Sequence, residues 1–255
     1  ALAAQSLSIF GDHQDVMACR TTGFAILASA TVQETMDLAL AAHLAAIEGR
    51  VPVLHFFDGW RTSNEWNTID VIDYDTISKM VDRDAVAEFR ARAMNPRHPD
   101  TRGSAQNSDV YFQNREAANR YYYAFPSIMQ KAMDKVAAAT GRAYHLFDYY
   151  GDSEADRVAV AMGSSTAVLR DAVDCLNTRG EKTGVLSVRL YRPFDAKALV
   201  AALPRSVRHI IVLDRTKEPG SQGEPLYMDV VTALADAGIT DKVVTGGRYG
   251  LGSKD

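Results

Sequence analysis

Apolar residues recur at helical spacing in the first fifth of the chain, between two short apolar runs. Thr31 and Glu34 have the spacing of a capping box, and the periodic positions continue from Val32 until Gly49 offers a stop. The run GFAILAS before this helix predicts a short buried strand, and the nearly continuous apolar run VPVLHFFD after it is typical of a parallel sheet covered on both faces. The pattern therefore predicts a strand–helix–strand unit.

Two further helical patterns follow this unit, from about Tyr74 to Met94 and from about Arg115 to Thr140. The connection between them, residues 95–114, is rich in Pro, Asn, Asp and Gly. Irregular connections of this length inside a compact domain are typical of binding or wrapping segments, and a plain surface loop is the alternative.

The helical pattern ends at FDYYGDSEADR, which we interpret as a polar break between two periodic regions. Beyond it, predicted strands (Val158 to Met162, VLSVRLYRPF, HIIVLD and KVVT) alternate with predicted helices (from Ser164 or Ser165 to Gly180, Asp195 to Leu203, and Pro225 to Ala237). The sequence thus predicts an α/β protein of two domains, residues 1–150 and 151–255, the second with a mostly parallel sheet.

Composition narrows the possible partners. The 255 residues are 47% hydrophobic and 24% charged, as in ordinary globular proteins, and the net charge of −4 without a dense basic run argues against nucleic acid. No apolar stretch approaches the roughly 20 residues that span a bilayer, so we expect no membrane association and a cytoplasmic location. Cys19 and Cys175 form no CxxC pair, so we expect them to ligate no iron–sulfur cluster.

Polar side chains that follow strands are the candidates for chemistry, because ligands of open α/β sheets lie beyond the carboxyl ends of the strands. An apolar strand from Ser8 leads directly into Asp12, His13 and Asp15. This trio is a candidate base with orienting carboxylates, and a turn with a helix cap is the alternative reading.

The predicted strand VPVLHFF leads into a second candidate loop, which contains Asp58 and Arg61. Arg61 would suit an anion, but an Asp–Arg pair that only holds the loop is equally compatible with the sequence. His13, His43 and His55 have no recognised metal-ligand spacing, so we expect no metal site.

Three nucleotide-binding or catalytic motifs are absent. The stretch from Gly247 to Lys254 reverses the Gly-Lys-Ser/Thr order of a phosphate loop, and Gly163-Ser-Ser is not a Gly-x-Ser-x-Gly elbow. No GxGxxG follows a strand, which argues against a dinucleotide-binding fold of the usual kind.

Six strings carry a resemblance that covers nearly the whole chain in collinear order: SIFGDHQDVMACRTTGFAILAS, HLAAIEGRVPVLHFFDGWRTSNE, NREAANRYYYAFP, LYRPF, LDRTKEPGSQGEPLY and GGRYGLGSKD. In these strings the chain resembles pyruvate:ferredoxin (flavodoxin) oxidoreductase. The resemblance implies a thiamine diphosphate enzyme that converts pyruvate and coenzyme A to acetyl-CoA and carbon dioxide. It also implies Mg²⁺, [4Fe-4S] clusters, electron transfer to ferredoxin or flavodoxin, and a homodimeric parent.

The resemblance further implies that the chain is a segment of a longer enzyme. Residues 1–150 would form the back part of a pyrimidine-binding-type first domain, and residues 151–255 a domain like the C-terminal domain of transketolase. The groups that contact pyruvate and activate the aminopyrimidine would lie before Ala1, and the diphosphate, coenzyme A and cluster sites would lie after Asp255.

In that case the chain carries the rim of a site, and we expect the isolated chain to be inactive and to hold no cofactor tightly. Leu7 and Ile9 would form apolar walling near the cofactor. Asp12, His13, Asp58 and Arg61 would shape the loops beside it, and none is expected to be catalytic. The alternative functions are a non-catalytic scaffold or partner-binding module derived from such an enzyme and an unrelated binder of a small ligand.

Overall fold

The first part of the chain forms a small sheet covered by helices. The computed structural model describes residues 10–101, 103 and 105–252, so the expected strand from Ser8 and the candidates Leu7 and Ile9 lie outside the described residues. The elements are α1 (Gln14–Ala18), β1 (Ala25–Ser29), α2 (Val32–Gly49), β2 (Val53–Phe57), α3 (Tyr74–Met80), α4 (Arg83–Ala91), α5 (Ser108–Ala117) and α6 (Asn119–Thr140).

The second part alternates strands and helices. Its elements are β3 (Phe147–Gly151), β4 (Arg157–Ala161), α7 (Ser165–Thr178), β5 (Thr183–Val188), β6 (Leu190–Arg192), α8 (Ala196–Ala202), β7 (His209–Asp214), α9 (Pro225–Asp236) and β8 (Val243–Arg248). The α/β class is confirmed, and these six strands build two sheets together with β1 and β2.

The first sheet has the strand order β2-β1-β6, and β1 is its buried centre. All five residues of β1 are buried, β2 runs parallel to it from the pairing of Ala25 with Val53, and β6 runs antiparallel. Helix α2 begins as predicted, because the Glu34 N–H donates to the Thr31 hydroxyl at 3.2 Å. Helix α6 packs on α2, and Gly49 permits this approach because an added Cβ would lie 2.6 Å from the ring of Phe125.

The second sheet has the strand order β3-β5-β4-β7-β8. Strands β5, β4, β7 and β8 run parallel to one another and β3 is antiparallel at one edge, so the prediction of a mostly parallel sheet is confirmed. Strands β5 and β4 are apolar and largely buried, as their near-continuous hydrophobic runs indicate, whereas β7 exposes His209 and Ile211.

Two local predictions in the second part were wrong. The interpretation of FDYYGDSEADR as a polar break missed β3, which pairs along its whole length with β5. The run VLSVRLYRPF is two strands in different sheets, because the chain turns at Arg189 and crosses from the second sheet to the first. The run hides this turn because both strands are buried. The division at residue 150 stays a prediction.

Helices α3, α4 and α5 differ from the others because none of their residues is buried. The single helix predicted from Tyr74 to Met94 is interrupted after Met80, where Asp82 caps α4, and α5 begins at Ser108, earlier than the predicted Arg115. In the described part of the chain, no helix is both long and apolar enough to cross a membrane.

Candidate functional site

Two residues predicted from different loops, His13 and Asp58, meet in the interior. His13 precedes α1 and Asp58 follows β2, and they are 4% and 1% exposed. A hydrogen bond joins His13 Nε2 to Asp58 Oδ1, and the imidazole packs edge-on against Phe56 with ring centroids 5.1 Å apart. The sequence placed each residue beyond a strand, and the structure joins them.

The Asp58 carboxylate also contacts two groups of the second sheet. The backbone N–H of Ser164, at the start of α7, donates to Asp58 Oδ2, and Arg215 Nη1 lies 3.7 Å from Oδ1. Ser164 follows β4 and Arg215 follows β7, so the carboxyl ends of both sheets face one another here. We name His13, Asp58, Ser164 and Arg215 the junction cluster.

Arg215 also fixes the segment that precedes α1. Its guanidinium donates to the carbonyl oxygens of Gly11 and Phe10, both at 2.7 Å, and the His13 N–H donates to the Arg215 carbonyl at 2.9 Å. Because Arg215 is 2% exposed, these hydrogen bonds are sheltered from water. The residues before α1 are therefore anchored to the end of β7.

The protonation of the junction cluster follows from its hydrogen bonds. Burial raises the pKa of Asp58, but the hydrogen bonds from His13 and Ser164 outweigh burial, so its pKa lies below the usual value. Asp58 is then a carboxylate at neutral pH and can only accept, which assigns the shared proton to His13 Nε2. This buried pair can hold loops in place, and it presents no exposed base.

The other predicted site residues have local roles. Asp12 Oδ1 accepts from the Gln14 N–H at 2.9 Å, as in the turn alternative, and Asp15 accepts from the Val16 N–H at 2.8 Å, while His13 at the start of α1 makes no side-chain cap. Arg61 lies on the exposed face of its loop, where its backbone N–H donates to the Gly59 carbonyl. The arginine that lies near Asp58 is Arg215, which is 157 positions later in the sequence.

A second ionic contact joins the sheets at the turn between β5 and β6. Arg189 pairs with Glu34 at 2.7 Å and with Asp148, and it is 5% exposed. Arg189 and Ser187 line a cavity of about 10 Å³, and Arg189 Nε and Ser187 Oγ have no partner among the described residues. A cavity of this size holds about one water molecule, too little for a substrate.

Sequence reasoning missed Ser164 and Arg215 as members of one site. Both follow strands, which was the available signal, and Arg215 lies in the polar run after HIIVL. Their convergence with Asp58 requires that the two sheets meet end to end, and no spacing within one sequence indicates that arrangement.

Two family models match this chain. One, described as "Pyruvate flavodoxin/ferredoxin oxidoreductase, thiamine diP-bdg", matches residues 1–134, and "Pyruvate:ferredoxin oxidoreductase core domain II" matches residues 155–254. Together they cover most of the chain, and the stretch between them contains the predicted boundary.

Curated relatives match over the whole chain. It is 60% identical to a pyruvate:ferredoxin oxidoreductase of Moorella thermoacetica and 55% identical to a pyruvate-flavodoxin oxidoreductase of Enterobacter agglomerans. In both cases all of this chain is covered and it spans 22% of the relative's length.

A solved structure shares the fold. The 2-oxoglutarate:ferredoxin oxidoreductase from Magnetococcus marinus, with 2-oxoglutarate, coenzyme A and succinyl-CoA bound, matches with a TM-score of 0.53 at 14% identity. The match covers 98% of this chain and 43% of that one. At this identity the likeness concerns the fold alone.

Proposed function

We propose, since this chain belongs to the pyruvate:ferredoxin (flavodoxin) oxidoreductase family, that it works as one segment of such an enzyme. The proposed reaction of the whole enzyme is the oxidative decarboxylation of pyruvate with coenzyme A to acetyl-CoA and carbon dioxide. The two electrons released pass to ferredoxin or flavodoxin. The observation that carries this proposal is identity of 60% and 55% over all 255 residues to relatives named for this activity.

The family model for residues 1–134 is named for thiamine diphosphate, but the described residues do not fit this cofactor on their own. No three His, Cys, Asp or Glu side chains in the described ranges come together to hold a metal ion. The open groove of about 470 Å³ is lined by Tyr149, Tyr150, Asp152, Asp174 and neighbouring residues, and its carboxylates would repel a diphosphate. We therefore derive no chemical step through the cofactor.

Within the enzyme, we assign this chain the framework beside the site. The junction cluster fixes the loop of Asp12 and His13 against the loop of Asp58 and Arg61, which supports a role for these residues in the rim. Leu7 and Ile9 would wall the cofactor from the segment just before that loop. A rigid rim matters because catalytic groups must be held within fractions of an ångström.

The remaining features of the parent enzyme are proposals from the family likeness. Mg²⁺ would join the diphosphate to the protein, and [4Fe-4S] clusters would carry the electrons singly to the acceptor. The parent enzyme would be a homodimer in the cytoplasm. Neither Cys19 nor Cys175 is assigned to a cluster, because the two lie 156 positions apart and form no CxxC pair.

A chimera tests the proposed function. This chain replaces the matching segment of the Moorella thermoacetica relative, and pyruvate-dependent reduction of ferredoxin is measured with and without coenzyme A. We expect activity within about tenfold of the unmodified enzyme, which corresponds to less than about 1.4 kcal/mol of transition-state stabilisation. A chimera that assembles at the correct size and binds thiamine diphosphate but reduces no ferredoxin would contradict the proposal.

A further inference from the structure

The second half of the chain contains the groups of a carboxylate receptor at the start of α7. The 14-residue helix has no side-chain cap of its own, and the Ser164 N–H points at a negative charge instead. The buried guanidinium of Arg215 lies on the same side. A helix N-terminus together with an arginine is a common way to bind carboxylates and phosphates.

Gly163 leaves space for a ligand to lie directly against the backbone before α7. Its φ of 75° is in the left-handed region that favours glycine, and an added Cβ would overlap Asp58 Oδ2. Both the backbone conformation and the space beside it therefore require glycine. The loop before α7 is shaped around the carboxylate.

The carboxylate that fills the receptor comes from the other sheet. Asp58 lies 106 residues before Ser164, follows β2, and is 1% exposed. Its two oxygens have separate partners, since Oδ2 accepts from Ser164 while Oδ1 accepts from His13 and faces Arg215. Asp58 is thus bound by the second half in the way that a small anionic ligand would be.

We propose that Gly163, the α7 N-terminus and Arg215 form a carboxylate-binding site that Asp58 occupies as a built-in ligand. The crevice beyond the carboxyl ends of β4 and β7, where α/β sheets bind their ligands, serves here to hold the first half of the chain. The site is carried by two strands that pair from Arg157 with His209, so we expect it to persist when the carboxylate is removed.

Chemical rescue tests this site. In Asp58→Ala the receptor is left without its carboxylate, and we expect the midpoint of thermal unfolding, Tm, to fall by roughly 10 °C. Formate, a carboxylate small enough for the vacated space, should raise this Tm in a saturable manner, and chloride at equal ionic strength should not. Wild-type protein should show no saturable response, because its site is filled.

Two variants control the experiment. Asp58→Asn fills the same space with a neutral amide, so formate should leave its Tm unchanged beyond the effect of chloride. Asp174→Ala removes an exposed carboxylate that accepts from the Tyr150 hydroxyl at 2.8 Å, and it should respond to neither salt. If Asp58→Ala is unfolded, the readout becomes recovery of its circular dichroism signal with formate. Equal effects of formate and chloride on Asp58→Ala, in either readout, would overturn the proposal.

Discussion

Two helices of the exposed segment, which comprises α3, α4 and α5, begin in a different way from α7 and α9 beside the second sheet. Helices α3 and α4 are capped by the residue directly before them, since Asp73 accepts from the Thr76 N–H at 2.8 Å and Asp82 from the Ala85 N–H at 2.9 Å. Such caps need only the local sequence.

Helices α7 and α9 receive their carboxylates from other elements. Asp58 reaches the start of α7, and Asp214, at the end of β7, accepts from the N–H groups of Leu226 and Tyr227 at 2.9 and 3.1 Å. Each contact fixes one element relative to another. A cap of this kind organises the fold, whereas a local cap only starts a helix.

The local cap of α3 and the long-range cap of α9 also differ in their electrostatics. Hydrogen bonds from Thr76 hold the pKa of the exposed Asp73 below its usual value. Burial raises the pKa of Asp214 to about 6, although the hydrogen bonds from Leu226 and Tyr227 act in the opposite direction. A carboxylate that caps a helix from another element is buried, and this burial disfavours its charged form.

The largest effect is expected at Gly163. Gly163→Ala combines left-handed backbone strain with overlap on the Asp58 carboxylate, so we expect a loss of about 3 kcal/mol or more in the free energy of unfolding. Gly180→Ala is the matched control, because Gly180 has a φ of 88° but an added Cβ would meet nothing within 4 Å, and it should lose about 1–2 kcal/mol. Equal losses in urea denaturation would show that contact with Asp58 is unimportant.

A smaller, pH-dependent effect is expected at Asp214. Because its pKa is raised in the folded state, its contribution is fully present below about pH 3.8 and is lost as the pH rises through about 6. The stability of wild type relative to Asp214→Asn should therefore fall by about 1.4 kcal/mol between pH 5 and pH 7.5. Parallel stability curves for the two proteins over this range would refute the raised pKa.

The smallest effect is expected in the exposed segment. Asp82→Ala removes the cap of α4, and a lost N-cap typically costs about 1 kcal/mol. Since α4 buries no residue, we expect faster amide hydrogen exchange in its first turn, by about fivefold, with no change in the global Tm. A fall in Tm comparable to that of Gly163→Ala would erase the distinction between the two kinds of cap.

Local signals made much of this fold predictable. The capping box of Thr31 and Glu34 located α2, and continuous apolar runs located β1, β4 and β7. The strand at Phe147–Gly151 was not predicted, because its polar and aromatic residues suit a partly exposed edge strand. Such a strand shows only a weak hydrophobic pattern in the sequence.

The candidate site was predictable only in part. His13 and Asp58 were found because each follows a strand, but their partners depend on how two sheets meet. Arg189 was hidden for the same reason, since it lies inside an apolar run and its partners are Glu34 on α2, beside the first sheet, and Asp148 on β3 of the second sheet. Contacts between sheets arise from tertiary packing, which hydrophobic periodicity does not encode.

The central claim about function is that this chain supplies framework while the cofactor is anchored elsewhere in the enzyme. Isothermal titration of the isolated chain with thiamine diphosphate and Mg²⁺ tests it most directly. Charge-assisted contacts contribute about 1.5–3 kcal/mol each, and without them we expect no saturable heat up to about 1 mM cofactor. A dissociation constant of about 10 μM or tighter would show that the chain itself contains the cofactor site.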